Sequence, residues 1–242
     1  MRIPLTRYGW PQVAIYPAAV LAAMVLLPLG AMTLLPPWAV LCTEGILAGL
    51  LIWALTFFRD PQRRCPPDTN LLLAPADGRV TDIEQVAANS FIQGPALRIG
   101  IFLSIFDVHI NRAPCNVRVE TINYKKGRYL NAMNPESGRV NESNELGMVR
   151  TDGPTDRLIV RQVSGAIARR IICRTAPGKE LAGGEKFGMI KFGSRTELYA
   201  PVREELRCLV QIGDKVKAGL TPLAKYESRG SRDVQTQDRS RG

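Results

Sequence analysis

From Tyr8 to Thr43 the chain carries no Asp, Glu, Lys or Arg, and this stretch restricts what its N-terminal part can become. Val13 to Leu35 is an apolar run broken only by Pro17, Pro28, Gly30 and Thr33, and Trp38 to Phe58 is a second run with a single charge, Glu44. Each run is near the roughly 20 residues that a helix needs to cross a hydrocarbon core. Helices satisfy their own backbone amides in lipid, so residues 1–58 are expected to form a helical hairpin turned at Pro36-Pro37. Arg2 and Arg7 precede the first run and Arg59, Arg63 and Arg64 follow the second, which places both ends, and the domain after them, on the cytoplasmic side. A cleaved signal peptide fits poorly, because the second run follows at once with no clear small-residue cleavage site. A buried helix pair, or a hairpin that only enters the bilayer, satisfies the same pattern.

The rest of the chain changes period. Pro61, Pro66 and Pro67 among charges mark residues 59–70 as a linker, and residues 71–227 hold the main domain. Arg79–Glu84, Leu97–Leu103, Val117–Ile122, Gly147–Arg150, Arg157–Val163 and Leu206–Val210 alternate or cluster as short strands. Only Ala166–Arg174 has a helical pattern. The expected class is therefore mainly β (α+β) behind a helical hairpin. Ala76–Val80 and Gly213–Gly219 look like versions of one another and resemble the paired turns of the barrel-sandwich hybrid of biotinyl and lipoyl domains, although ordinary hairpin turns give the same local pattern. Residues 228–242 have almost no apolar side chains and read as a disordered basic tail.

The net charge of +10 is expressed mostly after residue 58. Beside an anionic leaflet each basic residue contributes about 1 kcal/mol of attraction, so a membrane surface is the expected partner. Nucleic acid is not, because the basic residues are not interleaved with aromatics in a reading motif. Five cysteines without a C-x-x-C pair argue against a disulfide framework and a zinc site, and no metal is expected.

Phe192-Gly193-Ser194-Arg195 carries the chemistry. If the Ser194 hydroxyl attacks the Gly193 carbonyl, the amide becomes an ester, and elimination followed by hydrolysis leaves a pyruvoyl group at a new N-terminus. Glycine at the attacked position crowds the tetrahedral intermediate least and tolerates strained dihedrals. The surrounding stretch Gly184–Tyr199 resembles the processing site of the phosphatidylserine decarboxylase family, particularly its short prokaryotic branch. Leu73–Val80, Phe102–Pro114 and Tyr124–Gly127 match other family segments in order, so that the resemblance spans roughly residues 55–226.

That resemblance implies a decarboxylase of phosphatidylserine. A pyruvoyl cofactor would be derived from Ser194, and residues 1–193 and 194–242 would be the two chains of the mature protein. His109 is the only histidine and the expected base for Ser194. The family places an aspartate like Asp77 in the self-cleavage triad; by sequence alone Asp77 is a turn residue, and Asp107 is the rival orienter of His109. Two departures stand out. Many members carry a second histidine where this chain has Arg112, and the commoner Leu-Gly-Ser-Thr is Phe192-Gly193-Ser194-Arg195 here. The substrate headgroup calls for nearby cations, for which Arg195, Arg112 and Lys191 are candidates. Lys125, Lys126 and Arg128 could serve either the headgroup or the membrane. Two other classes remain: a non-catalytic membrane-anchored carrier or lipid-binding module, and a serine hydrolase using Ser194 and His109. The hydrolase would lack its usual Gly-x-Ser-x-Gly elbow.

Overall fold

The computed structural model describes residues 4–31, 35–134, 136–166, 170–191 and 193–227; Arg2, Phe192 and the expected tail over 228–242 lie outside them. The chain divides into two units, residues 1–62 with 105–109, and residues 63–104 with 110–242. The division after Gln62 falls inside the segment expected to be a linker.

The first unit is helical. Helix α1 spans Gln12–Ala31 with Pro17 and Pro28 in its body, and α2 spans Pro37–Phe57. Pro37 opens α2, with Pro36 as its extended N-cap, so the second proline of the expected turn is helical. The first turn suits it because the N–H that proline lacks has no helical acceptor there. Both helices are apolar on every side yet bare, with Leu29 70% and Leu41 72% exposed. A helix hydrophobic all round belongs in a core or in lipid, and no core covers these. Gln12–Gly30 and Pro37–Phe57 are each long and apolar enough to cross a membrane.

The base of the hairpin is pinned by backbone. Thr6 N–H donates to Phe58 O (2.9 Å) and Asp60 N–H to Pro4 O (2.7 Å). Segment 105–109 belongs to this unit: Arg59 Nη2 donates to Phe106 O (2.7 Å), and the Phe57 ring packs 4.5 Å from the imidazole of His109.

The second unit is mostly strand. In chain order its strands are β1 (Leu71–Leu73), β2 (Gly78–Asn89), β3 (Gly94–Leu103), β4 (Ile110–Arg112), β5 (Val117–Lys125), β6 (Ser143–Arg150) and β7 (Arg157–Val163). After these come β8 (Ile171–Cys173), β9 (Glu180–Leu181), β10 (Lys186–Ile190), β11 (Ser194–Pro201), β12 (Leu206–Cys208), β13 (Lys215–Val216) and β14 (Pro222–Tyr226). Eight of them form a curled half-barrel sheet in the order β13-β2-β3-β11-β7-β6-β5-β9. The sets β1-β14-β12 and β4-β10-β8 make two smaller sheets. A mainly β fold behind a helical hairpin is thus what forms.

The two look-alike segments meet. In the antiparallel β13–β2 pair Lys215 lies opposite Arg79 and Val216 opposite Gly78, and Val80 N–H donates to Asp214 O (2.9 Å).

One expectation fails. Ile171–Cys173, inside the segment given a helical pattern, is strand β8, paired with β10. Isoleucines are stiff at χ1 and fit a pleated surface, so an available strand edge outweighs a weak helical period. A four-residue helix, α3 (Ser137–Val140), was not foreseen.

Strand β11 has β3 on one side and β7 on the other, with Ser194 opposite Leu103 and Arg195 opposite both Phe102 and Val163. Side chains alternate along a strand, so its two faces differ completely. Leu198 and Ala200 enter the main core, which also holds Leu103, Ile101, Val160, Met148 and Phe187. Tyr199, on the other face, packs with Ile159 and Ala96 in a separate small cluster.

Candidate active site

The connection from β10 to β11 carries the bond of interest. Gly193 has φ +59°, the left-handed region that glycine enters without the penalty a Cβ brings. A Cβ on Gly165 would collide with the Gly193 carbonyl oxygen, so two glycines let the backbones approach at this point. Ser194 opens β11 and is fully buried. Its Oγ has no hydrogen-bond partner among the described residues. A buried hydroxyl left unpaired costs about 1–3 kcal/mol, which makes it a feature to be explained.

The same face of β11 shows that pairing is available nearby. Asn144 Nδ2 donates to Gln162 Oε1 (3.0 Å), Gln162 Nε2 to Asn111 Oδ1 (2.9 Å), and Asn111 Nδ2 to Thr196 Oγ1 (3.0 Å). All four are buried. This amide relay crosses β6, β7 and β4 and ends two residues from Ser194, whose hydroxyl it leaves out.

Arg195 points the other way. Its Nε donates to Glu197 Oε1 (2.7 Å), Nη2 to Asp82 Oδ1 (2.6 Å) and Nη1 to Thr81 Oγ1 (2.9 Å). Thr81 sits at an irregularity in the β2–β3 register, where a bulge re-aims a side chain. Burial alone would lower the guanidinium pKa, but Asp82 and Glu197 outweigh it and raise it. The residue offered by sequence as a headgroup cation is committed to holding β2 and β11 together.

Lys191 and Arg112 are also buried. Burial pushes the Lys191 ammonium pKa down, and the neighbouring Arg170 charge adds to this. Arg112 Nη1 donates to Gly184 O (3.0 Å). Asp77 receives a bidentate ion pair from Arg63, Nη1 to Oδ1 (2.5 Å) and Nη2 to Oδ2 (2.7 Å), while Ala218 N–H donates to Oδ1 (2.8 Å). Arg63 Nη1 also reaches Ala218 O (2.7 Å). Sequence treated Arg63 only as a positive flank of the hairpin; nothing in one chain signals a pair spanning that distance.

His109 belongs to the helical unit and is fully buried there against Phe57. Its Nδ1 lies 3.0 Å from the main-chain oxygen of Asp107. A carbonyl only accepts, so Nδ1 donates in this contact, and Nε2 is the nitrogen left for base chemistry. The main-chain oxygen of Asp107 thus helps to fix the orientation of the ring. Among the described residues no group of three or more His, Cys, Asp or Glu could hold a metal ion, and all five cysteines are free.

Residues 50–224 match the family model of phosphatidylserine decarboxylase. The phosphatidylserine decarboxylase proenzyme of Symbiobacterium thermophilum is 43% identical over 227 residues, covering 93% of this chain and 97% of that one. The proenzyme of Carboxydothermus hydrogenoformans is 38% identical over 230 residues, 94% of this chain and all of its own. That of Azorhizobium caulinodans is 41% identical over 236 residues, 96% and 93%. A serine hydroxyl buried without a partner among the described residues, after a left-handed glycine, thus sits in a chain similar to proenzymes along nearly its whole length, and the chain belongs to the phosphatidylserine decarboxylase family.

Proposed function

We propose that the chain is made as a precursor, cuts itself between Gly193 and Ser194, and then decarboxylates phosphatidylserine to phosphatidylethanolamine with a pyruvoyl group derived from Ser194. The observation that carries this is the Ser194 hydroxyl, buried and unpartnered beside a glycine in the left-handed region. Such a hydroxyl has no acceptor among the described residues and stands next to a carbonyl it can attack.

In maturation Oγ adds to the Gly193 carbonyl carbon and the Ser194 nitrogen leaves, so the amide becomes an ester. Loss of the Ser194 α-proton breaks the ester C–O bond, giving a carboxylate on Gly193 and a dehydroalanine at position 194. Water then replaces the nitrogen, which departs as ammonia. His109 is the base proposed for the hydroxyl proton, being the only histidine and held in the right tautomer. Asp77 is proposed to support the resulting imidazolium, its carboxylate oriented by Arg63 and the Ala218 amide.

When formed, the pyruvoyl group supplies an electrophilic carbonyl that condenses with the substrate amine and accepts the electrons released with CO2. Lys191, two residues from Gly193, and Arg112 are proposed to meet the anionic headgroup; Arg195 is not, since each of its three nitrogens already holds Glu197, Thr81 or Asp82. Low polarity around Lys191 strengthens any contact its ammonium makes with a carboxylate or phosphate.

The cut need not release the small chain. Strand β11 stays hydrogen-bonded between β3 and β7, while β13 pairs with β2 and β14 with β1, so strands on either side of position 193 interlock. The apolar hairpin anchors the precursor, and the cationic flanks put the β unit at the cytoplasmic leaflet. A carrier module would need a modifiable lysine at a hairpin tip, whereas Lys215, the one candidate, is paired within a strand opposite Arg79. Carboxyl-labelled phosphatidylserine in mixed micelles tests the reading. Wild type should release labelled CO2 and be blocked by a carbonyl reagent such as phenylhydrazine; release by Ser194→Ala would refute it.

A further inference from the structure

The β unit carries a surface that neither the hairpin nor the reactive bond explains. Between β5 and β6 the chain runs outward through Tyr124, Lys125, Lys126, Arg128, Tyr129 and Met133 before returning along α3. Tyr124 is 56%, Tyr129 42% and Met133 66% exposed, and the two lysines and Arg128 are exposed with them. Arg139, on α3, adds a fourth cation, 78% exposed, whose one carboxylate partner is Glu136.

This loop is held firmly. Arg128 N–H donates to Val140 O (2.8 Å), and Glu142 N–H returns to Arg128 O (3.0 Å). The buried Asn141 side chain takes the Leu130 N–H (2.9 Å) and donates to Leu130 O (2.8 Å) and Ser164 O (2.8 Å). Tyr124 OH donates to Glu142 Oε1 (2.7 Å), which pushes its pKa up to about 12 and keeps the phenol neutral at physiological pH. A pinned loop thus keeps two tyrosines, a methionine and four cations largely in water.

The loop's inner side leads to the reactive bond. Ala132 is buried, and its Cβ is one of the atoms nearest to where a side chain on Gly165 would stand, the other being the Gly193 carbonyl oxygen. Asn141 ties the same loop to Ser164, the residue before Gly165. What touches the outside of the loop therefore lies one layer from Gly193.

We infer that the loop over residues 124–139 docks the β unit on an anionic bilayer, its lysines and arginines meeting lipid phosphates and carboxylates while Tyr129 and Met133 enter the headgroup layer. Tyrosine is at home at that depth, with an apolar ring and a polar tip, and clustered cations beside such side chains give the charge complement of an anionic leaflet. The inference rests on the phosphatidylserine reading for its lipid. It adds a second membrane contact, separate from the hairpin, that brings the Gly193 wall to the headgroup layer.

The test uses the full chain with Lys125, Lys126 and Arg128 all changed to Glu, and separately Tyr129→Ala with Met133→Ala. Intact mass first establishes that each variant matures like wild type, which separates docking from folding. Turnover is then measured on phosphatidylserine in phosphatidylcholine vesicles and on dihexanoyl phosphatidylserine supplied as monomers to the enzyme in neutral micelles. The charge-reversed variant should lose at least about tenfold on vesicles and stay within about twofold on monomers. Its vesicle rate should also lose the fall with added salt that wild type shows. The Tyr129/Met133 variant should lose a few-fold on vesicles only. Equal rates on vesicles, or equal losses on both substrates, would overturn the inference; a wild type active on neither substrate would instead overturn the proposed function. Hydrogen exchange gives an independent arm: residues 124–134 should gain protection when phosphatidylcholine vesicles are replaced by anionic ones, and no gain would count against docking.

Discussion

The two faces of β11 are opposite solutions to the same burial. On one face Arg195 and Glu197 bond to each other and to Asp82, Thr81 and Tyr199, whose OH donates to Glu197 Oε2 (2.6 Å). On the other, Thr196 is satisfied by the amide relay and Ser194, one step along, by nothing among the described residues. A strand that pairs an arginine and a glutamate on one face had the means to pair one hydroxyl on the other. The difference separates a face whose polar groups hold strands together from a face that keeps one polar group available for reaction.

Exchanging the effects of neighbouring substitutions is the sharpest way to break this comparison. Ser194→Ala should abolish chain cleavage, read by denaturing gel, while moving stability by less than about 1 kcal/mol, since it removes no hydrogen bond among the described residues. Arg195→Ala should do the reverse in kind: made in the Ser194→Ala background, where the chain stays in one piece, it takes the closest cation from both carboxylates and leaves Asp82 with Arg98 (3.3 Å) and Glu197 with Arg161 (3.8 Å). The expected loss is about 2–3 kcal/mol in denaturant unfolding. If Arg195→Ala proved nearly neutral in stability, the two faces would not differ as described.

Asn111→Ala tests the relay. It takes the Asn111 donor from the Thr196 hydroxyl and leaves the Gln162 amide with the longer bond to Ile172 O (3.3 Å), so about 1–3 kcal/mol should be lost in the same background. In the otherwise wild-type chain, cleavage should slow without stopping.

The smallest effect concerns pH. Burial pushes the Asp82 carboxyl up, but hydrogen bonds from Arg195 and Thr81 and the charges of Arg195 and Arg98 outweigh it and hold the pKa below the ordinary 3.8. A depressed carboxylate contributes stability that is complete above its unfolded pKa and disappears as pH falls through its folded one. The stability gap between the Ser194→Ala chain and its Asp82→Asn derivative should therefore be constant near neutrality and narrow below pH 3.8. A gap that widened in acid would mean that Asp82 is not held by Arg195.

The parts legible in the sequence were those whose cause is local. A run without charge from Tyr8 to Thr43 can only be a helix pair, and Arg157–Val163 has the strand residues it was assigned because apolar and polar positions cluster there. Strand β11 is not legible as one, although it lies between β3 and β7 in the eight-stranded sheet: Ser-Arg-Thr-Glu reads as surface until Asp82, far back in the chain, is known to sit against Arg195. The same blindness gave Arg195 a headgroup role and left Arg63 in a linker, because ion pairs between distant segments leave no period. Gly193 and Ser194 were found through the resemblance and the chemistry of the bond. Their setting, a left-handed glycine and an unpartnered hydroxyl, needed coordinates. The contact of His109 Nδ1 with the main-chain oxygen of Asp107 is one that no side-chain reading could have named.

Intact mass of the purified protein tests the central claim most directly. Two species are predicted, residues 1–193 ending in a carboxylate and residues 194–242 lighter by one ammonia than the plain serine-started chain. An active preparation whose chain remains continuous from Gly193 to Ser194 would contradict the account.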